Sequence, residues 1–236
     1  MSWDKLADAV LANGRVTLRR VRVGDVADLA RIVYEPDTWR YFVTRIDSPA
    51  DLDAFVEAAV RDTLNGSRIV FAIVDNADGR VVGSSAYGNL AEADRRLEIG
   101  WSWVCGAARR TGVNRAAKLA LLDHAFTELG CERVEFKTDV LNTGARRGLE
   151  GIGATEEGVL RSFNVMPGGR RRDVVYYSIL REDWPTVRRE RFGRVLGGGE
   201  SPGTAGAGST GTHTTDADAD ADTGTDTGTD TGTGIG

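Results

Sequence analysis

The chain is poor in the residues that build metal and redox sites. Among 236 residues it has two cysteines, two histidines and two methionines. Cys105 and Cys131 are too few for a disulfide framework, so a reducing compartment, the cytoplasm, is the expectation. His124 falls inside a long helical pattern and His213 in a polar tail. That placement argues against a Cys–His nucleophile pair, and with no zinc-type spacing present no metal is expected. No run is apolar and long enough to span a bilayer. Met1 to Gly14 scatters Asp4, Lys5 and Asp8 among short apolar stretches, unlike a signal peptide. No membrane partner is expected.

Charge of one sign is also missing from the body of the chain. The net charge is −5, but the stretch from Gly197 onward holds seven acids and no Lys or Arg. The first 196 residues therefore carry thirty bases against twenty-eight acids, or +2. So small a charge predicts no nucleic-acid partner, and Arg170–Arg172 and Arg188–Arg194 read as solvated basic faces. The tail, built of Gly, Thr, Ala and Asp, cannot bury enough surface to fold. Composition thus sets off a disordered acidic tail (197–236); ahead of it the expected division is an N-terminal extension (1–14), one domain (15–182) and a basic C-terminal segment (183–196).

What is present is an α/β order without a doubly wound repeat. Arg15 to Val21 alternates as a strand, Asp25 to Tyr34 reads as a helix, and Ser48 caps a second helix reaching Leu64. Ile69–Val74 and Val81–Tyr87 form strands joined by the turn Asp75-Asn76-Ala77-Asp78-Gly79. Leu97, Ile99, Trp101 and Trp103 recur at period two and predict a half-buried strand, with both tryptophans packed inward. Leu119, Leu122, Phe126 and Leu129 mark an amphipathic helix from Arg115 to Leu129, and Gly130 follows it. Later strands are expected at Val134–Thr138, Ala154–Val165 and Asp173–Leu180, the last two joined through Pro167-Gly168-Gly169. Asn142 opens one more helix, which Gly153 closes.

Between the strand of Leu97 to Trp103 and the amphipathic helix lies Arg109-Arg110-Thr111-Gly112-Val113-Asn114-Arg115. A glycine there lets backbone approach a ligand, and the following helix offers unpaired N–H groups and the positive end of its dipole. Arg109-x-x-Gly112-x-Asn114 resembles the Arg/Gln-x-x-Gly-x-Gly/Ala signature of the GCN5-related N-acetyltransferase (GNAT) family, with Asn114 in place of the usual small residue. Asn142-x-x-Ala145-x-x-x-Leu149-x-x-x-Gly153-Ala154 is similar to that family's second segment. Glu98-Ile99-Gly100-Trp101 and Arg172-Asp173-Val174-Val175-Tyr176-Tyr177-Ser178 resemble the ribosomal-protein N-terminal acetyltransferase (RimJ/RimL-type) branch. The likeness covers roughly residues 15 to 182.

The resemblance implies a mixed, strongly twisted sheet of six to seven strands flanked by helices, with a central pair splayed to admit acetyl-CoA. It implies that backbone N–H groups from Arg110 to Arg115, including those of Gly112, Val113 and Asn114, cup the pyrophosphate. Arg109 or Arg115 would meet outer phosphate oxygens, Asn142 the pantetheine or adenosine end, and Trp103 and Val104 the cofactor at the strand end. A backbone N–H at Val104 or Cys105 would receive the thioester oxygen. Aromatic residues Trp39, Tyr41 and Phe42 fall in a segment that often shapes the acceptor pocket, although ordinary core is the commoner use of such residues.

Acetyl transfer to an amine needs a neutral nucleophile, a donor for the thioester oxygen, and a thiolate that can leave. Glu98 is the first choice for the base, ahead of Glu135 and Asp173. No hydroxyl stands ready as the acid, since Leu149 replaces the family's frequent Tyr and Ala145 the branch's common Ser. Transfer remains feasible because a thiol of reference pKa roughly 8.5 leaves tolerably at neutral pH. An α-amine, with a pKa of about 7.7 to 8.0, has a larger neutral fraction than a lysine near 10.4, which favours a protein or peptide N-terminus or a similar primary amine. The expected enzyme transfers acetyl directly within a ternary complex. A non-catalytic acyl-CoA-binding module, motivated by Ala145 and Leu149, and a nucleotide phosphate-binding protein, lacking Gly-Lys-Ser/Thr after the strand, stay as alternatives. Monomer and homodimer are equally compatible.

Overall fold

The computed structural model describes Trp3 and residues 6–196. The expected tail, 197–236, lies outside the described residues. Eight strands form one sheet: β1 (Leu11–Ala12), β2 (Val16–Arg20), β3 (Ile69–Asp75), β4 (Arg80–Ala91), β5 (Arg96–Val104), β6 (Arg133–Asp139), β7 (Thr155–Val165) and β8 (Arg171–Leu180). Their order across the sheet is β1-β2-β3-β4-β5-β6-β8-β7. Every neighbouring pair is antiparallel except β5 and β6. A parallel pair needs a crossover, which the helix between them provides. The short edge strand β1 adds one to the expected count, because Leu11 and Ala12 pair with Leu18 and Thr17.

Five helices flank this sheet: α1 (Val26–Leu29), α2 (Pro49–Leu64), α3 (Val113–Asp123), α4 (Thr143–Gly151) and α5 (Trp184–Leu196). Ser48 caps α2, its hydroxyl accepting the Asp51 N–H as the sequence suggests. The helix expected over Asp25–Tyr34 shrinks to the single turn α1 followed by looser turns. There the Val33 carbonyl accepts the Trp39 indole N–H at 2.7 Å, a tertiary bond that local pattern cannot announce. α3 continues into a π-helical turn, His124–Glu128, before Gly130 at φ 66° ends it.

The apolar side chains separate into two cores, one on each face of the sheet. α3 and α5 cover the first, over Leu97, Ile99, Val104, Phe136 and Tyr177. α1 and α2 cover the second, over Val70, Ala72, Ala86 and Trp103. The basic segment keeps Arg189 and Arg191 exposed, but its other side is anchored: Trp184 and Phe192 of α5 are buried in the first core, and Arg188 pairs with Asp123 at 2.7 Å. Its arginine-rich sequence hides two aromatic anchors that only docking onto α3 reveals.

The two cores expose a flaw in the period-two reading of β5. Leu97 and Ile99 face α3, yet Trp103 faces α2. The switch occurs at Trp101, whose φ is +52°, where the register against β4 shifts between Ser84 and Ala86. An extra residue in one strand is a β-bulge, and it exchanges the faces of everything beyond it. Beyond Glu98, β5 also parts from β6, since their pairing runs only from Arg96/Arg133 to Glu98/Glu135. The expected splayed pair is therefore present, and it opens at the bulge.

Candidate active site

A cleft of about 350 Å³ occupies the gap between β5 and β6. Its walls come from both faces of the sheet. On the α3 face they are Ser102, Asn114, Lys118, Asn142, Ala145 and Leu149; on the other they are Glu98, Gly100 and Trp101 with Tyr41, Phe42 and Arg172.

At the α3 end, the loop preceding the helix curls through left-handed positions. Arg110 has φ 60° and Gly112, the N-cap, φ 83°. Such a sequence of conformations aims successive N–H groups into one concavity. No neighbour lies within 4 Å of a Cβ built on Gly112, so the side of the loop where a side chain would stand is unfilled. The Val113 side chain is fully buried beneath it and anchors the turn, while Asn114 faces the cleft. Glu35 accepts the Gly106 N–H at 2.9 Å and meets Arg109 at 3.4 Å, and Arg109 also donates to Thr38. Arg115 donates to the carbonyls of Gly151 and Arg191. Both arginines thus brace the loop, which commits part of each guanidinium to the scaffold rather than to an outer phosphate. Asn142 caps α4 through its Oδ1 and the Ala145 N–H, 3.0 Å apart, and lines the cleft.

An acyl-CoA fits this end: a glycine-bearing turn at a helix N-terminus, then a gap whose walls carry strand backbone. Such a group, when bound, supplies the activated acyl carbon. The expected oxygen donor narrows to one of its two positions. Cys105 N–H donates to the Val82 carbonyl at 2.8 Å and is spent on the sheet. Alternation turns the neighbouring Val104 amide away from β4 and toward the gap. Cys105 is buried, and Cys131 is a buried thiol pushed up to about 12 by desolvation, so neither is poised as a nucleophile. Trp103 does not reach the cleft with its side chain; its ring packs against Trp39, with centroids 5.3 Å apart.

At the other end stands Glu98, only 2% exposed. Its Oε2 accepts bonds from Asn89 and from Lys137 Nζ at 2.7 Å. Its Oε1 lies over Gly100, so close that a Cβ there would sit 2.8 Å away. A carboxylate anchored at one oxygen in the wall of a cleft suits a proton acceptor. The weaker candidates are elsewhere: Glu135 pairs with Arg133 and Arg96, and the Asp173 carboxylate accepts the Ser162 N–H. Trp101, expected to pack inward, instead lies over Gly88 and lines the cleft, with Lys137 and Arg68 against its ring. Tyr41 and Phe42 line the cleft as well, whereas Trp39 is core.

Sequence reasoning passed over Lys118. It is 8% exposed in the middle of α3, donates to Ser102 Oγ at 2.6 Å, and lies 5.7 Å from the centre of the Phe136 ring. Burial lowers its amine to about 7, against a smaller opposing pull from Glu98. The signal is a lysine that follows Asn114 and Arg115 on one helix face and is followed on it by the buried Leu121 and Leu122.

Residues 15–155 match the family model described as Acetyltransferase (GNAT) domain. "Putative ribosomal N-acetyltransferase YdaF" of Bacillus subtilis (strain 168) is 29% identical over 182 residues, spanning 73% of this chain and 94% of that protein. RimJ of Mycobacterium smegmatis, solved in complex with CoA-disulfide, is 25% identical with a TM-score of 0.67, over 80% of this chain and 95% of that one. A GCN5-related N-acetyltransferase from Brucella melitensis, 22% identical, shares the fold with a TM-score of 0.72 over 77% of this chain and 83% of its own.

Proposed function

The chain belongs to the GNAT acetyltransferase family and is an N-acetyltransferase; from that premise we propose that it carries acetyl from acetyl-CoA directly to the α-amine of a protein or peptide N-terminus. The observation that carries this reading is the passage through the sheet. The amide cradle of Gly112, Val113 and Asn114 opens on the α3 face, and the Glu98 carboxylate on the other, with one cleft joining them. Two substrates entering from opposite faces meet at the bulge, the arrangement that direct transfer in a ternary complex requires.

The residues divide the work. Gly112, Val113, Asn114 and Asn142 hold the donor, with Arg110 and Arg115 closing the loop around it. The Val104 amide receives the developing negative charge on the carbonyl oxygen. Glu98 Oε1 takes the proton that the amine loses, held in place by Lys137 and Asn89. Tyr41, Phe42 and Phe163 flank the acceptor with apolar surface, suited to the first side chains of a peptide. An α-amine needs less help to reach its neutral form than a lysine does. The names of YdaF and RimJ agree with such an acceptor, and no described helix is long and apolar enough to cross a membrane. A cytoplasmic setting completes the proposal.

The test is a thiol-release assay with acetyl-CoA against N-terminal peptides and a panel of small amines, beside calorimetry with CoA. Peptide turnover above that of free amines is expected. Turnover confined to small amines overturns the acceptor assignment, and tight acetyl-CoA binding without turnover of any amine overturns the transfer itself.

A further inference from the structure

Glu98 accounts for the proton that leaves the amine, but nothing so far supplies the one the departing sulfur needs. Leu149 and Ala145 line the cleft where a hydroxyl would serve, and neither carries one. Among the cleft-lining residues on the α3 face, Lys118 brings a titratable amine, beside the Ser102 hydroxyl that it donates to and Arg115, which donates to carbonyls.

Its surroundings are specific. Ser102 follows the bulge residue Trp101, and the bulge is what turns Ser102 toward α3 rather than away from it. Ser102 Oγ accepts from Lys118 Nζ at 2.6 Å and lies 2.7 Å from Ser85 Oγ. Lys118 Nζ is thereby fixed at the edge of the gap, on the face where the donor's pyrophosphate cradle lies, while Glu98 stands on the opposite face. The groups facing it are few: Glu98 and Ser102 from β5, Ser85 from β4, and the Phe136 ring from β6. α4 contributes Ala145, Gly148 and Leu149 to the cleft, none of them titratable.

We propose that Lys118, oriented by Ser102, is the general acid that protonates the departing CoA thiolate. The inference rests on the acetyl-CoA reading above. The amine nitrogen forms its bond to the carbonyl carbon, the C–S bond breaks and its electron pair goes to sulfur. One proton passes from the amine to Glu98 and one from Lys118 Nζ to the sulfur. Lys118 is reprotonated, and Glu98 deprotonated, through solvent once the products leave, so the cycle balances. An ordinary lysine near 10.4 would hold its proton too firmly for this; one lowered to about 7 is matched to the task.

The experiment compares wild type with Lys118→Met and Lys118→Arg in single-turnover transfer from pH 6 to 9.5, with CoA affinity by calorimetry. Ligand-free wild type is also labelled with acetic anhydride across pH, and Lys118 modification read by mass spectrometry. A descending alkaline limb near pH 7 is expected in wild type. Both variants should lose it along with about a hundredfold in rate, while CoA affinity stays within threefold. Arginine preserves the charge but cannot release a proton near neutral pH, so it should not rescue. Labelling of Lys118 should reach half its maximum near pH 7. Full activity in Lys118→Arg, a wild-type profile without the alkaline limb, or labelling that rises only above pH 9 would each overturn the assignment. Absence of wild-type turnover would instead overturn the reading beneath it.

Discussion

The two mouths of the cleft are built from different materials. On the α3 face the lining comes from a loop and two helix starts: Asn114 and Asn142 near helix N-termini, then Ala145, Gly148 and the single functional amine of Lys118. On the α2 face it comes from bulky and charged side chains borne by separated segments, Tyr41 and Phe42 after α1, Trp101 on β5, Lys137 on β6, Phe163 on β7 and Arg172 on β8. A site made of backbone at a helix start needs a short stretch of sequence with small residues in set places. One made of side chains from five segments needs only that the fold bring them together. The first mouth therefore announces its ligand class, and the second keeps its acceptor hidden.

If that division is sound, substitutions at one mouth leave the other alone. The largest effect is expected from Glu98→Gln, which removes the proposed proton acceptor and nothing else in size. Transfer should fall by about a hundredfold or more with CoA affinity unchanged, and a parallel loss of CoA binding in calorimetry would break the separation. Next comes Gly112→Ala. The position has room for a methyl but a φ of +83°, so the strain of about 1 kcal/mol falls on the loop itself. CoA affinity should drop by roughly five- to tenfold, while the KM for the acceptor stays put.

Phe42→Ala probes the other mouth. The ring lines the cleft against Trp39, and its loss should raise the acceptor KM severalfold without moving CoA affinity; an unchanged acceptor KM would place the acceptor elsewhere. The smallest effect is on stability. Lys118 has a folded-state amine lowered to about 7, whereas the unfolded chain holds that proton up to about 10.4. Below pH 7 the buried charge is a full cost. Between 7 and 10.4 the unfolded state binds more protons than the folded one, so wild type gains stability as pH rises. Lys118→Met should therefore melt higher than wild type at pH 6, and that advantage should shrink toward pH 10. A melting difference independent of pH would show that the amine is not the source.

Much of the architecture is legible along the chain because it depends on local pattern. The strand at Ile69, the cap at Ser48 and the glycine at 112 each lie where short-range chemistry puts them. The exceptions have tertiary causes. α1 stops early where the Trp39 indole takes the Val33 carbonyl. α5 reads as a basic solvated stretch until Trp184 and Phe192 find the α3 face. β5 reads as one continuous alternation until Trp101 bulges, which sends Trp103 to the α2 core and Ser102 to Lys118. The Cys105 amide looked as available as that of Val104 until its bond to Val82 is seen.

From sequence alone come the α/β order and the Arg109–Arg115 loop as the candidate phosphate site, because residue type, spacing and short-range periodicity encode them, and, through the family resemblance, Glu98 as the first choice of base. Tertiary structure alone decided that Asn89 and Lys137 hold Glu98 by one oxygen, that Arg109 and Arg115 brace the scaffold, and that a helix lysine meets a strand serine. These depend on burial and on which face of the sheet a residue occupies. A single bulge resets that face for every residue after it, with no mark in the local pattern.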